Sequence, residues 1–406
     1  MSNRRGELDR GKVGLLLAFA RALHHHGAPA HRLEREVGAV AQHLGLQASF
    51  FSTPTMLLAS FGADEANAET HVLRVQPGGV DLGRLAELDA LGVAITRGTL
   101  TVDDALDRAR VLAKPRPPRQ RWSAVAASAV ASGSAASLMG GGQVEVATSL
   151  GVGLVMGLLG EAARRHEAVE RLQLVLAGAL SASLAGAVAS EVPLALTLVT
   201  VAGIITHVPG LTLTVAMTEL STNHLASGSA RIFAAMTTLA QLGFGSLLGA
   251  SLASSLGSPV SATTTPTAAL PATFAVLLGG LAFARLLEAR RRDLPLVVGA
   301  ALWALWASRL GEAAVGGVAG VAISSTLVGV AGNATARLLR RPASLVLIPG
   351  ILLLVPGSLG YRSLAELLAG DVVAGVARAV QVGMIAVALA AGQVVAHAFV
   401  PPRREL

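Results

Sequence analysis

The chain has 406 residues, 52% of them hydrophobic and only 14% charged, and it contains no cysteine. With a mean hydropathy of +0.61, against roughly 25% charged residues in an average soluble domain, this composition indicates an integral membrane protein. The missing thiols exclude disulfides, thiolate metal sites and cysteine nucleophiles. The net charge of +7 is carried by arginines scattered at loops without interleaved aromatics, which is no nucleic-acid surface.

Residues 1–115 read as a small cytoplasmic α+β domain, because charged and apolar residues alternate there at soluble-protein periods. No cleavable signal peptide is visible, since the apolar run Val13–Ala20 is short and leads into Arg21 and His24-His25-His26. Leu15, Leu16, Phe19, Ala22 and Leu23 form a helical stripe, and a second amphipathic helix is expected from Ala30 to Leu44. Strands are expected at Gln47–Ser52, Met56–Ser60 and His71–Val75. Helices follow at Asp81–Leu91 and Thr101–Leu112, the latter capped by Thr101. Lys114 to Arg121 is a basic, proline-stiffened linker.

From Trp122 onward the run lengths give ten membrane spans, near 122–139, 144–160, 172–190, 193–220, 230–256, 271–288, 294–309, 312–334, 343–360 and 372–399. Arginines fall on alternate loops, at Arg164-Arg165, Arg231, Arg290–Arg292, Arg340-Arg341 and Arg403-Arg404, which places both termini in the cytoplasm. The spans divide into five-helix modules over 116–256 and 257–406. Five being odd, a duplicated module enters the membrane in opposite directions, so the expected fold is a polytopic α-helical 5+5 inverted repeat. Gly153/Gly157, Gly245/Gly249 and Gly316/Gly320 have the small-xxx-small spacing of close helix contacts, and the chain leaves room for a homo-oligomer.

Two spans are interrupted. Pro209-Gly210 breaks the fourth, and Pro349-Gly350, with Pro356-Gly357 beyond it, breaks the ninth. Within a membrane such breaks persist where protein or a water-filled cavity satisfies the freed backbone groups. The helix restarting after Pro209-Gly210 offers free N–H groups to a carboxylate, with Thr212 and Thr214 placed to read a polar side chain. Glu219 follows on the same helix, and on it Thr212, Ala216 or Val215, Glu219 and Asn223 share a face. Glu219 and His207 are the proton-coupling candidates, joined by Asp371, which opens the last span within reach of Arg378. The second half is expected to carry no acid matching Glu219.

These residues carry a resemblance. His207-Val208-Pro209-Gly210 through Glu219, then His224 and Gly228 to Arg231, resembles the threonine/serine exporter family. Gly27…Arg32-Leu33-Glu34 and Leu44-Gly45-Leu46…Thr53-Pro54 resemble its cytoplasmic segment, and Ile348-Pro349-Gly350 through Val355-Pro356-Gly357, Tyr361 and Gly370-Asp371 its second membrane module. The resemblance implies ten spans and export of threonine, serine or, in relatives, small carboxylates, driven by proton-motive force.

The function expected is therefore a secondary transporter of the inner (plasma) membrane. It would export threonine, serine or similar small polar amino acids with protons as coupling partner, a site lined by Pro209, Gly210, Thr212, Thr214, Pro349 and Gly350, and no cofactor or metal. Succinate-like dicarboxylates are the alternative substrates. A channel or an intramembrane enzyme is the rival from another class, the latter resting on Ser221 near His207 or His224. No Gly-x-Ser-x-Gly, His-Glu-x-x-His or phosphate-loop motif is present.

Overall fold

The computed structural model describes residues 9–62, 68–76, 78–114, 121–255, 269–355, 357–368 and 370–401. The proline-rich part of the linker (115–120), Pro77, Pro356, Arg403-Arg404 and most of the Ser258–Pro271 loop lie outside them.

The N-terminal elements fall close to where periodicity places them. Helix α1 (Arg10–His25) is capped by Asp9, whose side chain accepts from the Gly11 and Lys12 amides. Helix α2 (Ala30–His43) follows, with Pro29 at its N-cap and no side-chain cap of its own. Strands β1 (Ala48–Thr53), β2 (Met56–Phe61) and β3 (Glu69–Arg74) form one antiparallel sheet in the order β1-β2-β3. In its register Phe51 faces Leu58, and Leu57 faces Leu73. Helices α3 (Leu82–Thr96) and α4 (Val102–Leu112) are capped by Asp81 and Thr101. Leu15, Leu16, Phe19, Leu33, Leu57 and Phe61 are fully buried in one core, apolar burial of the kind that stabilises by about 25 cal/mol per Å². The histidine run is structural on two of its three members. His24 and His26 point their Nε2 atoms at the carbonyls of Thr53 (3.0 Å) and Leu112 (2.7 Å).

Beyond the linker the chain is helical: α5 (Arg121–Leu138), α6 (Gln143–Ala163), α7 (Glu167–Ala189), α8 (Leu196–Gly203), α9 (Gly210–Ser221), α10 (Leu225–Ser254), α11 (Ala272–Leu286), α12 (Leu294–Ala314), α13 (Gly317–Leu339), α14 (Ser344–Leu354), α15 (Gly357–Leu368) and α16 (Val372–Phe399). Seven stretches among the described residues are long and apolar enough to cross a membrane: 143–163, 167–189, 225–254, 291–314, 317–339, 344–368 and 372–399. Three of the ten expected spans fall short on that measure. Serine and glycine dilute α5, α11 has 15 residues, and the fourth span is split into α8 and α9, of 8 and 12 residues.

Packing follows the same pattern in both halves. Helix α5 lies against α6 and α11 against α12; α7 runs along α10 and α13 along α16; α9 packs on α10 and α15 on α16. The long pairs approach through glycine. A Cβ on Gly245 would collide with the Val175 carbonyl, and one on Gly178 with the Leu242 carbonyl. In α16, Gly392 meets the Ala322 carbonyl in the same way. Gly392 and Ala322 each lie 147 residues after Gly245 and Val175. Small residues at such crossings let backbones approach where lipid gives no hydrophobic push between helices.

The breaks differ in one respect from the sequence expectation. Pro349 sits inside α14, and the ninth span is interrupted after it, where α14 ends at Leu354 and Val355 is extended (φ −70°, ψ 135°). A residue before proline is disfavoured in the helical region, and Gly357 then opens α15. The two interruptions touch. Gly210 packs on the Val355 side chain, and a Cβ on Gly357 would lie 3.0 Å from Val208 and 3.5 Å from the Gly210 Cα.

Gly245→Ala should therefore cost about 1–3 kcal/mol by forcing α7 and α10 apart, seen as a lower melting temperature of the detergent-solubilised protein. Gly383→Ala, where nothing lies within 4 Å, should leave it unchanged; equal effects of the two would contradict this packing.

Candidate functional site

Glu219 is fully buried and joins three elements. Its Oε1 accepts from the Ala30 amide at 2.9 Å, and its Oε2 from the Ser227 hydroxyl at 2.7 Å and the Arg231 Nε at 2.9 Å. Helix α2 has no side-chain cap of its own, so the carboxylate of α9 supplies one, satisfying a free N–H and facing the positive end of the helix dipole. His224, the N-cap residue of α10, completes the joint. Its Nε2 lies 3.2 Å from Glu34 of α2, its Nδ1 3.0 Å from Thr222, and its ring stacks edge-on with His31 at 6.1 Å. Farther along, the Leu82 amide donates to the Leu287 carbonyl at 2.9 Å, and Leu82 packs with Ala284, Val297 and Leu345. The N-terminal helices thus rest on both membrane halves.

Between α2 and the helices beneath it lies a cavity of about 380 Å³. Leu211, Thr214, Val215 and Thr218 of α9 line it, one helical stripe; across from them stand Asn333 of α13, Ser344 and Ile348 of α14, and Gln393 and His397 of α16. From the N-terminal side come His31, Arg32, Arg35 and Glu36 of α2, and Asp89 of α3. Thr214 and Thr218 donate their hydroxyl protons within α9, to the carbonyls of Gly210 (3.4 Å) and Thr214 (3.0 Å), which leaves lone pairs toward the space. Asn333 donates to the Val400 carbonyl at 2.8 Å, and Gln393 to that of Ser325 at 2.9 Å. Three polar atoms of the lining, His31 Nδ1, Glu36 Oε2 and Ser344 Oγ, are buried without a hydrogen-bond partner among the described residues. Buried polar groups ordinarily find partners, and these three in the cavity wall have hydrogen-bonding capacity unused.

Of the substrate-site and proton-coupling residues expected from the sequence, Thr214 alone lines this cavity. Pro209 caps α9, Gly210 is taken up by the contact with Val355, and Thr212 lies off the cavity-facing stripe, which runs through 211, 214, 215 and 218 rather than 212, 216 and 219. Pro349 and Gly350 are buried in α14, the latter against Val328. Glu219 turns away from the cavity onto α2 and α10. His207 sits in the interruption, 3.2 Å from Gln173 of α7 and 3.2 Å from Thr206. Asp371 does not pair with Arg378. It caps α16 through the Ala374 amide at 3.1 Å, while Arg378 pairs with Glu366 of α15 at 2.7 and 2.8 Å.

That second pair corrects the expectation that the C-terminal half has no acid matching Glu219. Each glutamate lies nine residues past the glycine opening its helix (Gly210 to Glu219, Gly357 to Glu366) and twelve before its arginine. Counting from Pro349 conceals the match; counting from Pro356 reveals it. Ser221 donates to the Met217 carbonyl at 2.8 Å, and no hydrogen bond among the described residues joins it to His207 or His224.

Two touching helix interruptions with a polar cavity beside them are an arrangement that secondary transporters use. One family signature, described as "Putative threonine/serine exporter", matches residues 14–253, and a second, described as "Threonine/Serine exporter, ThrE", matches 272–399. The chain belongs to the threonine/serine exporter family. It is similar to fungal proteins named pheromone-regulated membrane protein 10. That of Debaryomyces hansenii is 25% identical over 87% of this chain and 36% of its own length, and that of Eremothecium gossypii 24% over 86% and 48%. The protein of Pichia sorbitophila is 25% identical over 58% of this chain and 24% of its own. The chain thus spans about a quarter to a half of the curated relatives it matches. No solved structure matches it.

Two outcomes follow from this geometry. Glu219→Ala should uncap α2 and strand Arg231, a loss of about 3–5 kcal/mol for breaking a buried pair, and should speed amide hydrogen exchange in the first turn of α2; unchanged exchange there would contradict the cap. His31 is held neutral, its pKa lowered from 6.5 to about 3, first by burial and then by Arg35, His224, Arg32 and His397 around it. The unfolded ring takes its proton near 6.5 and the folded one does not, so stability should be full above that pH and fall as pH drops toward 3. His24 and His26, also lowered by burial, act with the same sign. Melting curves of His31→Gln against pH should accordingly be flatter than those of the parent, and identical slopes would contradict the assignment.

Proposed function

We propose that the protein is a secondary transporter exporting threonine, serine or similar small polar amino acids, with the cavity beneath α2 as its substrate chamber. The observation that carries this reading is that the cavity gathers three unpartnered polar atoms between the helix restarting after Pro209-Gly210 and the helix ending before the second interruption. Its size falls within the few hundred Å³ of small-molecule sites. Its charge suits the substrate class: Arg32 and Arg35 are matched by Glu36 and Asp89, and His31 is neutral. A lining without net charge favours a zwitterion over a dicarboxylate such as succinate. Ser344, Thr214 and Asn333 are placed to read a hydroxyl side chain.

In this reading the membrane part comprises ten spans in two five-helix modules, 116–256 and 257–406, related as an inverted repeat. The recurring spacing from glycine to glutamate to arginine and the matching packing of both halves support it. Five helices per module place Glu219–Arg231 and Glu366–Arg378 toward opposite faces of the bilayer. Residues 1–115 and both termini then lie on the cytoplasmic side of the inner membrane, as the loop arginines suggest. Glu219 is the proposed proton-coupling residue, because its carboxylate ties Arg231 and the α2 N-terminus together above the cavity. His207 and Asp371 stand outside the cavity, the first as a relay candidate at the interruption.

The test is counterflow in proteoliposomes carrying a pH gradient, with labelled threonine, serine and succinate. Threonine or serine should exchange and succinate should not, Thr214→Val should slow exchange about tenfold, equal to 1.4 kcal/mol, and Glu219→Gln should exchange without responding to the gradient. Flux that fails to saturate, with no counterflow, would favour a channel.

A further inference from the structure

We propose that helix α2 of the N-terminal unit is itself part of the substrate site, Arg35 receiving the carboxylate of the amino acid and Glu36 its ammonium group. The proposal rests on the transporter reading above and specifies which residues hold the part common to every α-amino acid.

The argument begins with the charged groups of the cavity. Arg32 is committed, paired with Glu36 and lying 3.8 Å from Asp89. Arg35 is the other arginine of the lining and makes no ion pair among the described residues. A guanidinium presents a rigid fork of donors matched to a carboxylate, and one left unpaired beside a cavity has that capacity open. Glu36 uses only one of its oxygens on Arg32; the other, Oε2, is buried and unpartnered. A carboxylate oxygen without a donor in a cavity wall is a receptor for a cation, and an ammonium group carries three donors.

His31 adds a third group on the same helix. Its Nδ1 is buried without a partner, and the ring stays uncharged at neutral pH, so it offers hydrogen bonding without repelling a cation. On the membrane side the lining is hydroxyl, amide and apolar apart from His397. The division is chemical: α2 reads the charged head, while α9, α13 and α14 read the side chain. Burying a zwitterion demands compensation at both ends, and among the described residues the arginines and acids of the lining come from the N-terminal unit. The joint through Glu219 and His224 holds α2 in place over it.

The experiment is equilibrium binding of labelled L-threonine to the full chain in nanodiscs, competed by L-threoninol, which lacks the carboxylate, and by 3-hydroxybutyrate, which lacks the ammonium group. The parent should prefer threonine to each analogue by at least about tenfold. Arg35→Ala should weaken threonine about tenfold and abolish its advantage over threoninol, Arg35→Lys should restore part of that advantage, and Glu36→Gln should abolish the advantage over 3-hydroxybutyrate. Melting curves identify variants that fail to fold, and Arg35→Lys keeps the charge should alanine do so. If the parent binds threonine and a folded Arg35→Ala still rejects threoninol as the parent does, α2 is not the head-group receptor and the transporter reading stands. If the parent binds no threonine, both fall together.

Discussion

The carboxylate of Glu219 is the interaction on which the arrangement depends. It lies at no solvent exposure, between an arginine, a serine hydroxyl and the first amide of α2. A charge so placed is tolerable only when it is paired and hydrogen-bonded, and here three donors answer it, one from α2 and two from α10. Helix α2 follows a proline at its N-cap and has no side-chain cap in its own sequence; α9 and α10 meet at a tight turn in which Asn223 adopts positive φ. Each solves the other's problem. The consequence is that the N-terminal unit is fixed to the helix following the first interruption, and its charged residues are carried over the cavity.

The second constraint is the contact between interruptions. Gly210 and Gly357 face each other with only Val208 and Val355 packed between and around them. Neither position has room for a side chain, so the glycines are required by close approach. Backbone freed of helical hydrogen bonds needs protein around it wherever lipid is the alternative, and the two interruptions pack on each other. The glutamate–arginine pairs lie one helix away from this crossing. One is sealed under α2, and the other, Glu366–Arg378, is part-exposed, at 27% and 33%. They differ in geometry as well: Arg378 holds both oxygens of Glu366, whereas Arg231 reaches one oxygen of Glu219 and leaves the other to the Ala30 amide.

Much of the architecture is legible in the sequence because it rests on local periodicity. Thr101 as a cap, the β2 start at Met56 and the α2 start at Ala30 follow from spacing alone. The second acid was obscured by a choice of origin. Pro349-Gly350 and Pro356-Gly357 both punctuate the same run, and only the latter reproduces the eighteen residues from Gly210 to Gly228, as Gly357 to Gly375. The signal was present. The cavity was not readable in the same way: Ala30 and Glu219 are separated by 189 residues, and no local pattern says that α2 will sit on α9. Thr212 was misplaced by one position because the stripe facing the cavity is decided by how α9 packs on α10 and α16.

The central claim is that substrate binds between α2 and the α9–α14 pair while Glu219 holds α2 in place. A structure of the reconstituted full chain with bound L-threonine tests it most directly. The account predicts ligand density in the cavity bounded by Thr214, Asn333 and Arg35, with Glu219 still accepting from the Ala30 amide. Density at a separate position among the membrane helices, with this cavity empty, would contradict it.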